Sequence, residues 1–215
     1  MATPKAKKNH NGFFVTFEGG EGSGKTTVLK EVAATLRVKE PDLLATHEPG
    51  GTQLGATIRS LLLDQRSLSI ARRTEFFLFL ADRAQHVTEV ILPALEKKAL
   101  VLCDRFTDST LAYQEHGNEA VKAASFATGG LTPDLTLLFD IDPTMGLARA
   151  RKASAGHVDK IEARTLAFHS AVRKVFLARA QAEPDRFYLI DAAQPLEKVA
   201  EEALHVIQQR REVHA

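Results

Sequence analysis

The feature that most constrains this chain is the run from Phe14 to Thr27, FVTFEGGEGSGKTT, in which an apolar stretch passes without a gap into a glycine-rich turn. Gly19, Gly20, Glu21, Gly22, Ser23, Gly24, Lys25 and Thr26 fit the phosphate-loop pattern G-x-x-x-x-G-K-[ST]. Phe13, Phe14, Val15 and Phe17, with the β-branched Thr16 among them, predict a buried strand. From Lys25 onward, Val28, Leu29, Val32, Ala33 and Leu36 recur at helical spacing. A strand joined to a helix through glycines turns successive backbone N–H groups toward one point, and the helix N-terminus adds a positive field there. Lys25 supplies a point charge, and the Thr26 hydroxyl, followed by Thr27, suits Mg²⁺. The ligand so defined is the triphosphate end of a nucleotide. A glycine turn that binds nothing would require neither flanking element, and both are present.

Of the 215 residues, 13–215 contain no Pro/Gly-rich divide and are expected to form one α/β domain with a sizeable core. Residues 1–12, carrying Lys5, Lys7 and Lys8, read as a flexible basic tail. Cys103 is the single cysteine and sits beside Leu100, Val101 and Leu102, so it reads as a buried strand thiol rather than a ligand or nucleophile. No apolar stretch is long enough to cross a membrane, and a cytoplasmic enzyme without a membrane partner is the simplest expectation. A formal net charge of +1 favours no polyanion, so a small phosphorylated substrate is expected rather than nucleic acid.

Apolar strands alternate with amphipathic helices along the chain. Strands are expected at 13–17, 43–46, 98–103, 134–140 and 186–190, with helices at 54–63, 70–97 (interrupted at Pro93), 109–115 and 119–127, from Met145, over 161–181 and from Pro195. This alternation predicts a three-layer α/β/α fold of the P-loop NTPase kind around a five-stranded parallel sheet, with ligands at the carboxyl ends of its strands. Asp104-Arg105 emerges at such an end. There the carboxylate suits Mg²⁺ and the guanidinium fork suits a phosphate, although a structural salt bridge would use the same two residue types. A GTPase reading loses ground because no Asn-Lys-x-Asp segment exists: the asparagines are Asn9, Asn11 and Asn118.

Glu48-Pro49-Gly50-Gly51-Thr52 follows the second strand, and its glycines allow close approach to a ligand. Arg59, farther along the next helix, serves either an acceptor phosphate or a solvent salt bridge. In the long helix Phe79, Asp82, Arg83 and His86 share a face, while Phe76, Phe77, Leu80, Ala84, Val87 and Ile91 are expected to pack around the remainder. Phe79 and Arg83, four apart, can address one planar ligand, yet composition alone favours Phe79 as a core residue.

FEGGEGSGKTT, EPGGT, FLADRAQH, CDRFTDSTLAYQ and DKIE occur in the order found in thymidylate kinases, and over roughly residues 13–209 the chain resembles the bacterial-type branch of that family. The resemblance implies Mg-dependent transfer of the ATP γ-phosphoryl group to dTMP by a homodimer with a small mobile lid near 150–160. It also implies roles: Glu21 for the sugar 3′-hydroxyl, Phe79 stacked on thymine, and Arg83 on its carbonyl edge. Arg105 corresponds to the arginine on the acceptor phosphate, Asp104 to its acidic neighbour near Mg²⁺, and Ser109, Tyr113 and Gln114 to the lining of the nucleoside pocket. Glu48 belongs to the matching substrate segment. The phosphate loop carries Gly22-Ser23 and no arginine, and in this branch the lid supplies that charge. Arg149, Arg151 and Lys152 are the candidates, Arg151 for the transferring group and Arg149 nearer the nucleotide, against the alternative of a solvated charge cluster.

Two positions depart from the family pattern. His47 stands before EPGGT where relatives have arginine, exchanging a permanent charge for a titrating one. Lys160 replaces the arginine of Asp-Arg-x-Glu and loses its bidentate geometry. The rival readings are a kinase for another nucleoside or nucleoside monophosphate, and a nucleotide-binding regulator without transfer activity.

Overall fold

Apolar or β-branched residues at every position from Phe13 to Phe17 leave that segment no exposed face, and it forms a fully buried strand, β1 (Phe13–Gly19). The computed structural model describes residues 10–63, 69–114, 117–153 and 160–214. Most of the expected basic tail, and lid residues Ser154, Ala155 and Gly156, lie outside these.

After β1 come α1 (Lys25–Leu36), β2 (Leu44–His47), α2 (Gln53–Leu63) and α3 (Arg72–His86). One π-helical turn, Val87–Ile91, joins α3 to α4 (Leu92–Glu96). There follow β3 (Leu100–Asp104), α5 (Thr107–Tyr113), α6 (Asn118–Ala127), β4 (Leu135–Asp140), α7 (Pro143–Ala153), α8 (Leu166–Ala182), β5 (Phe187–Asp191) and α9 (Leu196–His214). The strands form one parallel five-stranded sheet in the order β2-β3-β1-β4-β5, the expected three-layer class. From β1 the chain crosses to the β2 edge, and from β3 it crosses to the β4 side. The crevice between β1 and β3 is therefore the topological switch point, where ligands of such sheets bind. Phe17 is in register with Asp104, so the glycine turn and the Asp104-Arg105 turn leave the sheet side by side.

The two faces of β1 differ. Phe13, Val15 and Phe17 join the apolar core under α1 and α9, with Phe17 and Phe139 stacked at 5.6 Å between ring centroids. Phe14, Thr16 and Glu18 face the other layer and become more polar toward the carboxyl end. Phe14 packs on Phe106, Thr16 pairs its hydroxyl with Thr136 at 2.9 Å, and Glu18 is fully buried.

Most expected elements stand within two residues of their predicted bounds. The interruption at Pro93 takes a specific form: proline lacks an N–H and crowds the carbonyl four residues back, and the wider π turn just before it relieves both. The helix expected over 161–181 begins instead at Leu166, where Thr165 caps it by accepting from the Phe168 N–H at 3.3 Å. Phe77, expected to pack, is 56% exposed, because α3 turns Phe76 and Leu80 toward α6 and leaves Phe77 outside.

Candidate active site

Backbone conformation builds the phosphate loop. Gly19, Gly22 and Gly24 have φ of 142°, 66° and 85°, the left-handed range that glycine enters without penalty. Gly22 has a second reason to be glycine: a Cβ there would lie 1.9 Å from the Gly146 carbonyl oxygen, so α7 sits directly on the loop. That contact explains physically why this position bears no arginine. The Ser23 hydroxyl donates to the Gly20 carbonyl at 2.9 Å, and Lys25 Nζ donates to the same carbonyl at 2.7 Å and to Ser23 at 3.1 Å. Burial, then the nearby Arg105, push the Lys25 ammonium down to about 8 against the pull of Glu21 and Asp104. An arriving polyanion reverses that cost.

Asp104 closes on the loop from β3. Thr26 donates its hydroxyl to Asp104 Oδ2, while Asp104 Oδ1 is buried without a hydrogen-bond partner. Hard oxygen donors with one carboxylate oxygen unsatisfied fit Mg²⁺. Among the described residues Glu48, His86 and Cys103 also group potential ligand atoms within 4.8 Å. Their chemistry does not suit Mg²⁺: burial pushes the Cys103 thiol well above its ordinary range, and Glu48 is already taken by Arg83 and His86.

Arg105 adopts φ 69°, an unusual backbone for a residue with a side chain. That turn aims its guanidinium across the crevice. Nη2 donates to Glu21 Oε1 at 2.6 Å, Nη1 donates to the Gly19 carbonyl and to Ser109 Oγ at 3.1 Å each, and the group lies over the Tyr113 ring. Tyr113 donates its hydroxyl to the same Glu21 oxygen at 3.0 Å. Burial opposes the charge on Glu21, but Arg105 and then Lys25 outweigh it and hold the carboxyl below its usual range. Glu21 therefore belongs to the far wall of the crevice as much as to its own loop.

The second wall is a buried ion network. Arg83 is 1% exposed and donates Nε to Glu48 Oε2 at 2.7 Å, Nη1 to the Thr110 hydroxyl at 2.8 Å and Nη2 to the Phe106 carbonyl at 2.9 Å. His86 Nδ1 lies 2.9 Å from Glu48 Oε1. Phe79 packs on Ile58 and Leu62, so the core reading holds for part of its surface, yet Phe79 and Arg83 both line the same cavity as Lys25, Thr26, Thr27 and Arg105. That cavity is about 1000 Å³. Glu48, Arg59, Ser109, Tyr113, Gln114 and Arg149 also line it.

Several expected residues are held by the protein itself. Arg59 donates to the Pro49 carbonyl at 2.8 Å. Gln114 donates to Glu75 at 3.3 Å, and Glu75 also pairs with Arg164. Arg149 donates to the carbonyls of Ala192 and Ala193 at 2.7 and 3.1 Å, which sets it at the β5–α9 end of the cavity. Arg151 is exposed at the end of α7, beside residues 154–159, which lie outside the described part, and α7 lines the cavity with Arg149, Ala150 and Ala153. His47 and Glu162 line it too.

The chain matches the family model described as Thymidylate kinase over residues 17–203. It belongs to the thymidylate kinase family. It is 53% identical over 196 residues to the thymidylate kinase of Desulfovibrio desulfuricans, covering 86% of this chain and 90% of that one. With the thymidylate kinase of Protochlamydia amoebophila it shares 45% over 210 residues, covering 93% of each. The crystal structure of thymidylate kinase from Ehrlichia chaffeensis superposes with a TM-score of 0.72 at 30% identity, covering 91% of this chain and 98% of that one. Use of ATP and Mg²⁺ is typical of the thymidylate kinase family, and among the described residues no helix is long and apolar enough to cross a membrane.

Two groups escaped the sequence reading. Glu18 accepts from the Phe106 N–H at 2.8 Å and from the Ser109 hydroxyl at 2.5 Å, and Asp108 is fully buried between Arg179 and Arg186. A carboxylate ending an otherwise apolar strand was the available signal for Glu18. Asp108 had none, since both its partners are more than seventy residues away.

Proposed function

We propose that this chain transfers the γ-phosphoryl group of ATP to dTMP, forming dTDP and ADP, with Lys25 and Arg105 as its central cationic groups. The observation that carries the reading is one cavity of about 1000 Å³ that runs from the phosphate loop to Phe79 and Arg83, with Arg105 between them. In this assignment Gly19 to Thr27 hold the donor phosphates, Arg149 lies nearer the ATP nucleoside, and Arg151 serves the lid. Phe79 stacks on thymine. Arg83 has five N–H groups and spends three on Glu48, Thr110 and Phe106, so two serve the base carbonyl edge. Glu21 and Tyr113 face the deoxyribose, Ser109 and Gln114 complete the pocket, and Arg59 supports the acceptor phosphate side. Glu48 acts by holding Arg83.

The reaction needs electrostatics more than a general base. An oxygen of the dTMP phosphate is already ionised near neutral pH and forms a bond to the γ-phosphorus as the bond to the β-phosphate oxygen breaks and ADP leaves. Two polyanions must approach, and Lys25 and Arg105 offset that repulsion before the reactants meet. Thr26 and Asp104 would hold Mg²⁺, which when bound neutralises phosphate charge. The lid, by excluding water, limits ATP hydrolysis.

The protein is proposed to work in the cytoplasm as a homodimer. Phe77 on α3 and Val121 and Phe126 on α6 are exposed apolar side chains available to a second copy. Light scattering that gives only monomer at micromolar concentration overturns the dimer. For the activity, purified protein is given Mg-ATP with dTMP, dUMP, dCMP, dGMP or thymidine in turn. Diphosphate formation chiefly from dTMP is the expected result. Another preferred acceptor, or ATP binding without transfer, overturns the reading in favour of a different kinase or a regulator.

A further inference from the structure

Glu18 is the penultimate residue of β1, the strand that runs into the phosphate loop, and it is 0% exposed. The hydrogen bonds of its carboxylate lead away from the loop. Oε1 accepts from the N–H groups of Phe106 and Ser109 at 2.8 and 3.3 Å, and Oε2 accepts from the Ser109 hydroxyl at 2.5 Å. These are the first turn of α5 and the residue before it, immediately after the left-handed turn at Arg105. Ser109 Oγ in turn accepts from Arg105 Nη1 at 3.1 Å.

The direction of these bonds matters. With Glu18 ionised, the Ser109 hydroxyl donates a hydrogen bond to Glu18 and keeps a lone pair for Arg105, so guanidinium, hydroxyl and carboxylate form one directed relay. The same short helix carries three further contacts of the site: the Phe106 carbonyl and Thr110 hydroxyl hold Arg83, and Tyr113 holds Glu21. On its far side Asp108 binds α5 to Arg179 of α8 and to Arg186 beside β5. Glu18 is thus a buried carboxylate that fastens α5 to β1, while Glu21 meets α5 from the loop that follows.

We propose that Glu18 is a positioning residue for the acceptor half of the site, setting Arg105 through Ser109 and fixing α5 against β1, so that acceptor geometry is referenced to the strand that ends in the donor loop. Burial, then Asp108, push its carboxyl up to about 7, and the bonds from Ser109 and Phe106 together with Arg105 favour the ionised form against that cost. The proposal rests on the reading of the cavity as an ATP and dTMP site. Wild-type activity on dTMP tests that reading, and ratios of variant to wild type test this one.

The measurement is steady-state kinetics with each substrate varied in turn. Glu18→Gln keeps shape and removes the charge, and is expected to lower kcat/KM for dTMP by at least about tenfold while the ATP KM stays within about twofold. Ser109→Ala leaves the carboxylate in place and removes the relay together with a pocket-lining hydroxyl, and it can be read even if Glu18→Gln yields no folded protein; the same split between substrates is expected, with a loss at least as large. Because the two groups act in series, the double variant should lose no more than about the larger single loss. Equal damage to both substrates, an unchanged kcat/KM for dTMP in the folded variants, or losses that multiply in the double variant would each overturn the proposal.

Discussion

At the phosphate-loop end, the proposed donor end, most of the cavity lining comes from one contiguous stretch, Glu21 to Thr27, joined by Asp104 and α7, and backbone in glycine-favoured conformations shapes much of it. At the other end, the proposed acceptor end, the lining is side chains from separate segments: Glu48 after β2, Phe79 and Arg83 on α3, Arg105 after β3, and Ser109 and Tyr113 on α5. The first end is specified locally, and at Gly19 and Gly22 it leaves no room for a Cβ. The second is specified by buried charges that meet only when the sheet is assembled. Damage to the donor end should therefore appear as lost nucleotide binding or turnover, and damage to the acceptor network as lost stability together with lost recognition.

Glu48→Ala should have the largest effect of any single change, and it falls on stability. Glu48 and Arg83 have side chains 1% and 2% exposed, so truncating the carboxylate leaves a buried guanidinium uncompensated. Removing one partner of such a pair costs about 3–5 kcal/mol, readable as a lower urea midpoint. A midpoint equal to wild type would erase the proposed contrast between the two ends.

Next come the cations on either side of the transferring group. Lys25→Ala and Arg105→Ala should each lower turnover by at least about 100-fold, the scale of losing a preorganised transition-state donor. Near-wild-type turnover by folded Arg105→Ala protein would sink its assignment. Gly22→Ala sharpens the donor side further. Forcing alanine to φ 66° costs about 1–3 kcal/mol in backbone strain alone, and its Cβ would lie 1.9 Å from the Gly146 oxygen. Calorimetric titration is expected to show weaker ATP binding with dTMP binding kept; unchanged ATP affinity would mean that α7 yields freely.

This division also explains what the sequence revealed. The phosphate loop, the five strands and Asp104-Arg105 were legible because each is written in adjacent residues, as an apolar run, a glycine pattern or a charged pair at a strand end. Roles for Glu48, Phe79 and Arg83 come through family resemblance, and composition alone places Phe79 in the core, where it packs on Ile58 and Leu62 while also lining the cavity. Nothing local announces that Arg83 is spent largely on Glu48, Thr110 and Phe106, or that Asp108 meets Arg179 and Arg186. Helix starts were misread where a single cap decides them, as at Thr165.

The smallest effect is the one that separates recognition from scaffolding. Arg83 is a scaffold by its contacts and is proposed to read the base as well, so its loss will destabilise the protein, and absolute rates of Arg83→Ala would confuse the two. A ratio does not. In the proposed site dTMP and dCMP share Phe79 and Arg105; they differ by the thymine methyl group, which is not assigned to Arg83, and at the base edge assigned to the two N–H groups that Arg83 has left. A mismatched hydrogen-bonding edge is worth roughly 1–3 kcal/mol in a buried site. The preference for dTMP over dCMP, measured as the ratio of kcat/KM values on the folded fraction, should therefore fall by about tenfold in Arg83→Ala. If the rates drop while the ratio holds, Arg83 is scaffolding only, and the acceptor network supports recognition without taking part in it.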